Sequence, residues 1–451
     1  MLTYEMSPLQ VATLMVCVLA VGAADLAWQD PQPSVQPNLK ALRQAARDRI
    51  AADFAYDSAK TPTARQAAAV VRVAARDNFQ TAFDEFERKA GRSLLLDAKA
   101  LAAVFENAIV PAKAPPTLGA VTVREEDDVK SAVFVPADYD PSRPHPMVCL
   151  LAGRKQQGDP KAVQTYLEQT WGQAARRERI LLVAPVLPSD LDLDGLDPKG
   201  PTGPNAELAR IRAAMQPLGQ SWQSLHLSRD RMVLDCGRGT SAFGLRLVSL
   251  FPDRFSGVVL RWPTVGDKLR VKALHGIPVL LVRCPETAAA CDKLRKLLHT
   301  QDSGSCQILT PPGPYPFADD TGIAEWSLQQ RRVAMAKQVV LAPIHDRFHR
   351  NRWVQIRKAD PVGSAPWLDA PVIEATADPV GNRITVTTRG VQEFTLMVGP
   401  ALVDVRDFLL VVNGKETRVR LQPSLNLLLS NLTNRNDSGH LVTAQHRVVV
   451  Q

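Results

Sequence analysis

The sequence predicts a three-layer α/β fold with an N-terminal helical region and a small C-terminal β-rich domain. In the middle of the chain, short β-branched runs alternate with helical stretches, as in parallel sheets whose strands are joined by crossover helices. Before this part apolar residues recur at helical spacing, and after about residue 367 they alternate with period two. The 451 residues are enough for two or three domains.

The composition is that of a globular protein, with 45% hydrophobic and 22% charged residues. The net charge is +8, but the basic residues are spread along the chain. The tightest groups are Arg176, Arg177 and Arg179, and Arg331 with Arg332. We interpret both groups as solvated helix faces, so no nucleic-acid partner is expected.

Residues 11–24 (VATLMVCVLAVGAA) form an unbroken run of apolar and small residues. The run is too short to span a bilayer, which takes about 20 residues. It fits the hydrophobic region of a secretory signal with a small-residue cleavage site, although no Lys or Arg precedes Lys40. We therefore expect residues 1–24 to be a signal peptide and the mature protein to be periplasmic or extracellular, without a transmembrane span. A buried N-terminal helix is the alternative.

The remaining residues divide into three parts. Residues 25–116 are predicted to be a linker and three or four helices, because Leu42, Ala46 and Ile50 follow helical spacing. Residues 117–366 are predicted to form the α/β core, in which runs such as ILLVAPV are typical of strands buried on both faces. Residues 367–451 are predicted to be the β-rich domain, with a two-residue hairpin turn at Asn413 and Gly414.

The core contains seven predicted strands, at residues 131–136, 147–151, 180–185, 231–234, 257–260, 277–282 and 306–309. The predicted helices between them lie at residues 160–177, 205–216, 241–250 and 288–299. In the β-rich domain the predicted elements are strands at 382–388, 394–398 and 408–412, and a helix at 424–432.

Residues 227–260 predict a strand, a sharp turn, an amphipathic helix and another strand. Asp230 and Arg231 open the first strand, and PDRF at 252–255 follows the helix. The segment resembles the nucleophile elbow of α/β hydrolases, in particular secreted esterases and prolyl-oligopeptidase-like peptidases, which carry G-x-S-x-G at the turn. The ungapped match places Cys236 at the first glycine and Arg238 at the serine.

The resemblance implies that the catalytic machinery is degenerate. A guanidinium stays protonated and is no nucleophile, so Arg238 cannot replace the serine. Thr287 stands at the position of the catalytic Asp and Tyr315 at that of the His. The oxyanion loop, usually H-G-x-G, is represented by Gly153 and Arg154. We therefore expect an exported, non-catalytic binding or scaffolding protein without a cofactor.

The partner is expected to be a small molecule or a protein. Arg238 would lie at a helix N-terminus, where backbone N–H groups favour anions, and Arg154 and Lys155 add positive charge. An anionic ligand is therefore one expectation. A purely structural envelope protein, whose β domain mediates assembly, is another.

An active serine esterase or peptidase is the alternative from a different class. Ser241 would then be a relocated nucleophile, with Glu286, Asp292 or His299 as acid and base. In a separate alternative, Cys236 would be the nucleophile, with a thiol in place of the serine hydroxyl, as in dienelactone hydrolase-like proteins.

Two sequence patterns match parts of known metal-binding motifs. Residues 190–195 (DLDLDG) match the first half of a calcium loop, but Pro201 stands at its twelfth position. His345 and His349 have the spacing of a zinc helix, but the adjacent Glu is missing and Pro343 is close. No metal is expected. Removal of residues 1–24 would leave five of the six cysteines, and the pairing among Cys284, Cys291 and Cys306 is open.

Overall fold

The computed structural model describes residues 36–109, 111, 115–189, 203–264, 269–300, 305–317, 322–363 and 369–450. The predicted signal peptide and the acidic loop that begins at Asp190 lie outside the described residues.

Among the described residues, three α-helices precede the sheets: α1 (Gln36–Ser58), α2 (Pro62–Ala90) and α3 (Ala98–Phe105). The side chain of Thr61 caps the start of α2, and Gly91 in the left-handed conformation ends it. The apolar faces of the helices bury Phe79 and Phe105 in a cluster that also contains Leu428. The helical region thus packs against the last helix of the chain.

The large sheet has eight strands: β1 (Val121–Glu126), β2 (Val129–Phe134), β3 (His145–Leu151), β4 (Leu181–Pro185), β5 (Leu227–Cys236), β6 (Gly257–Leu260), β7 (Val279–Val282) and β8 (Cys306–Leu309). Their order is β1-β2-β4-β3-β5-β6-β7-β8. β2 is antiparallel to both of its neighbours, and from β4 to β8 all pairs are parallel. All seven predicted core strands are present in this sheet.

The described α-helices between or after these strands are α4 (Pro160–Glu178), α5 (Gly203–Ser224), α6 (Ser241–Leu250), α7 (Ala288–Thr300) and α8 (Ile323–Gln329). Successive residues of β3 point to opposite faces of the sheet. Met147 and Cys149 join one buried cluster, and Val148 and Leu150 join the other. The sheet is therefore buried on both faces, which confirms the predicted three-layer α/β fold.

The C-terminal unit contains two further sheets. Its elements are β9 (Gln338–Leu341), β10 (Arg350–Asn351), β11 (Val354–Ala359), β12 (Val372–Asp378), β13 (Arg383–Arg389), β14 (Val391–Val398), β15 (Phe408–Val412), β16 (Lys415–Val419), α9 (Leu425–Arg435) and β17 (Ala444–Val449). One sheet has the order β16-β15-β13-β12-β9 and the other β10-β11-β14-β17. The two sheets share a buried cluster that includes Trp353, Ile384 and Phe394.

The predicted boundary between residues 366 and 367 is wrong. β9 pairs with β12, with Leu341 opposite Ile373, and β11 pairs with β14. Met335 already lies in the shared cluster of the two C-terminal sheets. The β-rich unit therefore begins about 30 residues earlier, because β9 is too short for a period-two signal and the polar stretch after it resembles a loop.

The interpretation of Arg331 and Arg332 as a solvated helix face is also wrong. The segment is not helical, and Arg332 is buried while Arg331 is exposed. Arg332 Nη2 lies 2.8 Å from Asp230 Oδ1 and 2.9 Å from Asp437 Oδ2. Burial of this cation depends on two carboxylates that are distant in sequence, so local composition could not reveal it. Arg176, by contrast, is exposed on α4 as predicted.

Candidate functional site

The turn between β5 and α6 lies at the carboxyl edge of the large sheet. Its left-handed residue is Gly239 (φ 78°), whereas Arg238 is outside that region. A catalytic elbow places the nucleophile itself on the strained turn. Here the left-handed position of the turn is taken by Gly239, and glycine adopts a positive φ without steric cost. The backbone of the turn is therefore not strained at Arg238.

Both backbone polar groups of Arg238 are hydrogen-bonded. Its N–H donates to Tyr315 Oη at 2.7 Å, and its carbonyl accepts the Arg154 N–H at 2.8 Å. The side chain is exposed, and the guanidinium carbon lies 4.0 Å from the centre of the Trp262 ring. This cation–π contact holds the guanidinium beside the turn.

The two loops that would form an oxyanion pocket are in direct contact. A Cβ added to Gly237 would lie 2.7 Å from both Gly153 N and Tyr166 Oη, so the backbones need a glycine there. In hydrolases, one oxyanion donor is an N–H from the loop after β3. The Arg154 N–H comes from that loop, and it is used by the Arg238 carbonyl. This donor is therefore not directed at a substrate.

Tyr315 occupies the centre of this arrangement. Its Oη lies 2.9 Å from Tyr166 Oη, in addition to the bond from Arg238. Burial raises the pKa of Tyr315, so the phenol remains neutral near pH 7. A neutral phenol is a poor general base, and here it acts as a hydrogen-bonding link between three elements.

Thr287 has a structural role in the turn before α7. Its Oγ1 accepts the Cys284 N–H at 3.0 Å, and its side chain is 1% exposed. Glu286 beside it is exposed. Hydrogen bonds from its own backbone and from Cys284 lower the pKa of Glu286, and the charge of Arg238 lowers it further. Glu286 is thus a carboxylate near Arg238, not a proton donor at neutral pH.

The alternative nucleophiles are buried. Ser241 is 0% exposed, and its Oγ donates to the Trp262 carbonyl at 2.8 Å. Cys236 is also 0% exposed; it packs against Gly244 of α6, and burial raises its pKa well above the ordinary value. A raised thiol pKa disfavours the reactive thiolate.

Two of the residues considered as acid or base for Ser241 lie on the protein surface. Asp292 lies 3.2 Å from Arg283 Nη2 in a surface ion pair, and His299 is exposed on α7. The ring nitrogens of three other histidines contact backbone oxygens: His145 that of Asp140, His226 that of Pro141 and His440 that of Arg352. The structure does not bring Ser241 together with the three partners considered for it.

Beneath the centre lies a buried ion pair that the sequence analysis missed. Asp235 and Arg261 are both 0% exposed, with Arg261 Nε 2.8 Å from Asp235 Oδ2. Trp171 Nε1 donates to the same oxygen at 2.6 Å. Burial opposes the charge of Arg261, but Asp235 outweighs it and raises the pKa of Arg261.

Arg261 links this pair to the turn that carries Tyr315. Its Nη1 donates to the Phe317 carbonyl at 2.8 Å. Asp235 and Arg261 stand at the ends of neighbouring parallel strands, β5 and β6. Charged residues that end two adjacent apolar runs were the available signal in the sequence, since such ends meet at one sheet edge.

Among the described residues, the cysteines form no disulfide and His345 is not in a helix. The five described cysteines, which include Cys284, Cys291 and Cys306, are free thiols. His345 lies in a loop, where its Nδ1 accepts the Arg347 N–H. Within the described ranges, no cluster of three or more His, Cys, Asp or Glu is placed to hold a metal. Among the described helices, none combines the length and apolar character that crossing a membrane requires.

The strand order of the large sheet and the turn after β5 decide the fold. The chain has the α/β-hydrolase fold. No family model matches the sequence, and no curated protein matches it. Similar solved structures include a thermostable esterase, with 17% identity and a TM-score of 0.37 over 47% of this chain and 63% of the esterase. The chain thus spans less than two thirds of that enzyme.

Two further α/β-hydrolase-fold enzymes match about half of the chain. A dienelactone hydrolase from Anabaena variabilis has 14% identity and a TM-score of 0.32, over 46% of this chain and 92% of that protein. An S-formylglutathione hydrolase from Staphylococcus aureus has 12% identity and a TM-score of 0.33, over 49% and 99%. At this identity the likeness concerns the fold and not the activity.

Proposed function

We propose that this protein is a non-catalytic α/β-hydrolase-fold protein that acts by binding. The observation that carries the proposal is the closed turn at Arg238. Tyr315 Oη accepts its N–H, and its carbonyl takes up the Arg154 N–H. Acyl transfer requires an activated nucleophile and donors directed at the developing oxyanion. Here the elbow carries a cation, and the donor from the loop after β3 is used internally.

The proposed ligand is an anionic group of a small molecule or a protein. Arg238, Arg154 and Lys155 are exposed on two adjacent loops. Glu286, on the turn before α7, is a described carboxylate whose pKa is lowered by the charge of Arg238, so the Arg238 guanidinium acts on a carboxylate at this mouth of the closed centre. Stacking on Trp262 restricts the Arg238 guanidinium and lowers the entropy lost when a carboxylate binds. Export remains part of the proposal and rests on the predicted signal peptide.

Turnover of p-nitrophenyl acetate tests the absence of catalysis. The wild-type chain and Arg238→Ser are both expected to give the rate of buffer alone. A hydroxyl restored at residue 238 still has Thr287 and Tyr315 in place of an acid and a base. Turnover by the wild-type protein that survives repeated purification would contradict the proposal.

Titration with citrate tests the anionic ligand separately. Arg238→Ala is expected to weaken citrate binding about tenfold, the effect of one charge-assisted hydrogen bond of about 1.4 kcal/mol. Arg212→Ala, an exposed arginine on α5, is the matched control and should leave the affinity unchanged. Equal affinities of wild type and Arg238→Ala would refute this binding site but not the absence of catalysis.

A further inference from the structure

A basic cavity lies where the α/β core meets the β-rich unit, and we name it the junction cavity. Its volume is about 400 Å³, which is within the range of small-molecule sites. The charged residues that line it are Arg254, Arg347, Arg350, Arg357, Arg435 and Asp253. Five cations thus face one carboxylate.

The single carboxylate is already engaged. Asp253 forms a buried ion pair with Arg435, and Arg254 Nη1 donates to the Arg435 carbonyl at 3.1 Å. Glu393, which lies outside the cavity, is paired as well: its two oxygens lie 2.6 Å from Arg447 nitrogens. The positive charge of the cavity is therefore not neutralised by these carboxylates.

Three polar nitrogens of the cavity residues are buried and have no hydrogen-bond partner. They are Arg350 Nη2, Arg435 Nε and His349 Nε2. Burial and the charge of Arg435 lower the pKa of Arg350 to about 9. Unmade hydrogen bonds and like charges in a half-buried space are both unfavourable, and a bound anion would relieve both.

One wall of the cavity is apolar. The rings of Phe251 and Phe348 meet edge to face with their centres 5.0 Å apart, and Ile356 also lines the cavity. A ligand that fits has an apolar ring against this wall and a compact anion toward the arginines. The planar fork of arginine matches the oxygens of phosphate and sulfate groups.

We propose that the junction cavity binds a small aromatic phosphate or sulfate ester. The two esters share a tetrahedral oxyanion, and the cavity supplies the same recognition to both. This site is separate from the mouth at Arg238 and does not depend on it.

Calorimetric titration with phenyl phosphate, phenyl sulfate and phenol tests the proposal. We expect saturable binding of at least one ester at one site per chain, and much weaker binding of phenol. The ester that binds more tightly shows which oxyanion the cavity prefers. Arg347→Ala and Arg357→Ala change exposed residues, so both variants should fold; each should weaken binding about tenfold.

Arg88→Ala on α2, also exposed, is the matched control and should bind like wild type. Arg238→Ala should bind the esters unchanged as well, which separates this site from the proposed function. Three results would overturn the proposal: no saturable binding of either ester at millimolar concentration, equal binding of phenol, or unchanged affinity in both cavity variants.

Discussion

At the scale of residues, Tyr315 is a hydrogen-bonding link at the turn that carries Arg238. A histidine at this position would exchange protons near neutral pH. The phenol of Tyr315, whose pKa is raised by burial, instead keeps its proton and bonds to Arg238 and Tyr166. The three residues come from three separate segments, so the hydroxyl ties the centre together.

Tyr315→Phe removes only that hydroxyl. It should lower the free energy of unfolding by about 1–2 kcal/mol, because the Arg238 N–H and Tyr166 lose their partner. Urea denaturation followed by circular dichroism measures the difference. Tyr56→Phe is the control, since the Tyr56 ring contacts Arg72 through its face and should lose little. Equal stability of wild type and Tyr315→Phe would contradict the linking role.

At the scale of elements, local sequence patterns predicted most strands and helices. The elements that they did not predict depend on long-range contacts. Asn413 and Gly414 form the predicted turn, with Val412 opposite Lys415. β9, by contrast, is defined by its pairing with β12, more than 30 residues further along the chain. The pairing of Asp235 with Arg261 also depends on strand neighbours, so it can be predicted only when the ends of β5 and β6 are considered together.

Gly→Ala substitutions at two positions should have opposite signs. Gly414 has a φ of 84°, where an L-residue is strained, so Gly414→Ala should destabilise the protein by about 1 kcal/mol. Gly219 lies in α5 and a Cβ there meets nothing within 4 Å. Gly219→Ala should therefore stabilise by about 0.5–1 kcal/mol. Thermal unfolding of both variants compares them; the same sign in both would contradict these backbone assignments.

At the scale of the whole molecule, helices from the N-terminal and C-terminal parts of the described chain pack against each other. Helices α1–α3 share a core with α9, and Arg435 at the end of α9 pairs with Asp253 next to α6. The sequence predicted the fold class and the turn between β5 and α6. It could not predict this network or the junction cavity, because both arise where three distant segments meet.

His440 within this network should make stability depend on pH. Burial and then Arg435 lower its pKa to about 3, from an ordinary value of 6.5, against the opposing charge of Asp437. Between pH 6.5 and about 3 the unfolded chain therefore binds a proton that the folded chain excludes. Stability should fall as the pH falls through this window, with His440 contributing up to about 1.4 kcal/mol per pH unit.

His440→Gln should make the slope of unfolding free energy against pH shallower between pH 6 and pH 4, as measured by urea denaturation. His299→Gln, which changes an exposed histidine on α7, is the control and should keep the wild-type slope. Identical slopes for wild type and His440→Gln would show that His440 is not excluded from protonation in the folded state.

The most direct test of the account is reaction with a fluorophosphonate probe, read out by the intact mass of the protein. Wild type and Ser241→Ala are treated side by side, with an active serine hydrolase as the positive control. The closed centre at Arg238 and the buried Ser241 predict no adduct on either chain. An adduct on wild type that disappears in Ser241→Ala would contradict the account, because it would mean that an activated nucleophile exists one turn beyond the elbow.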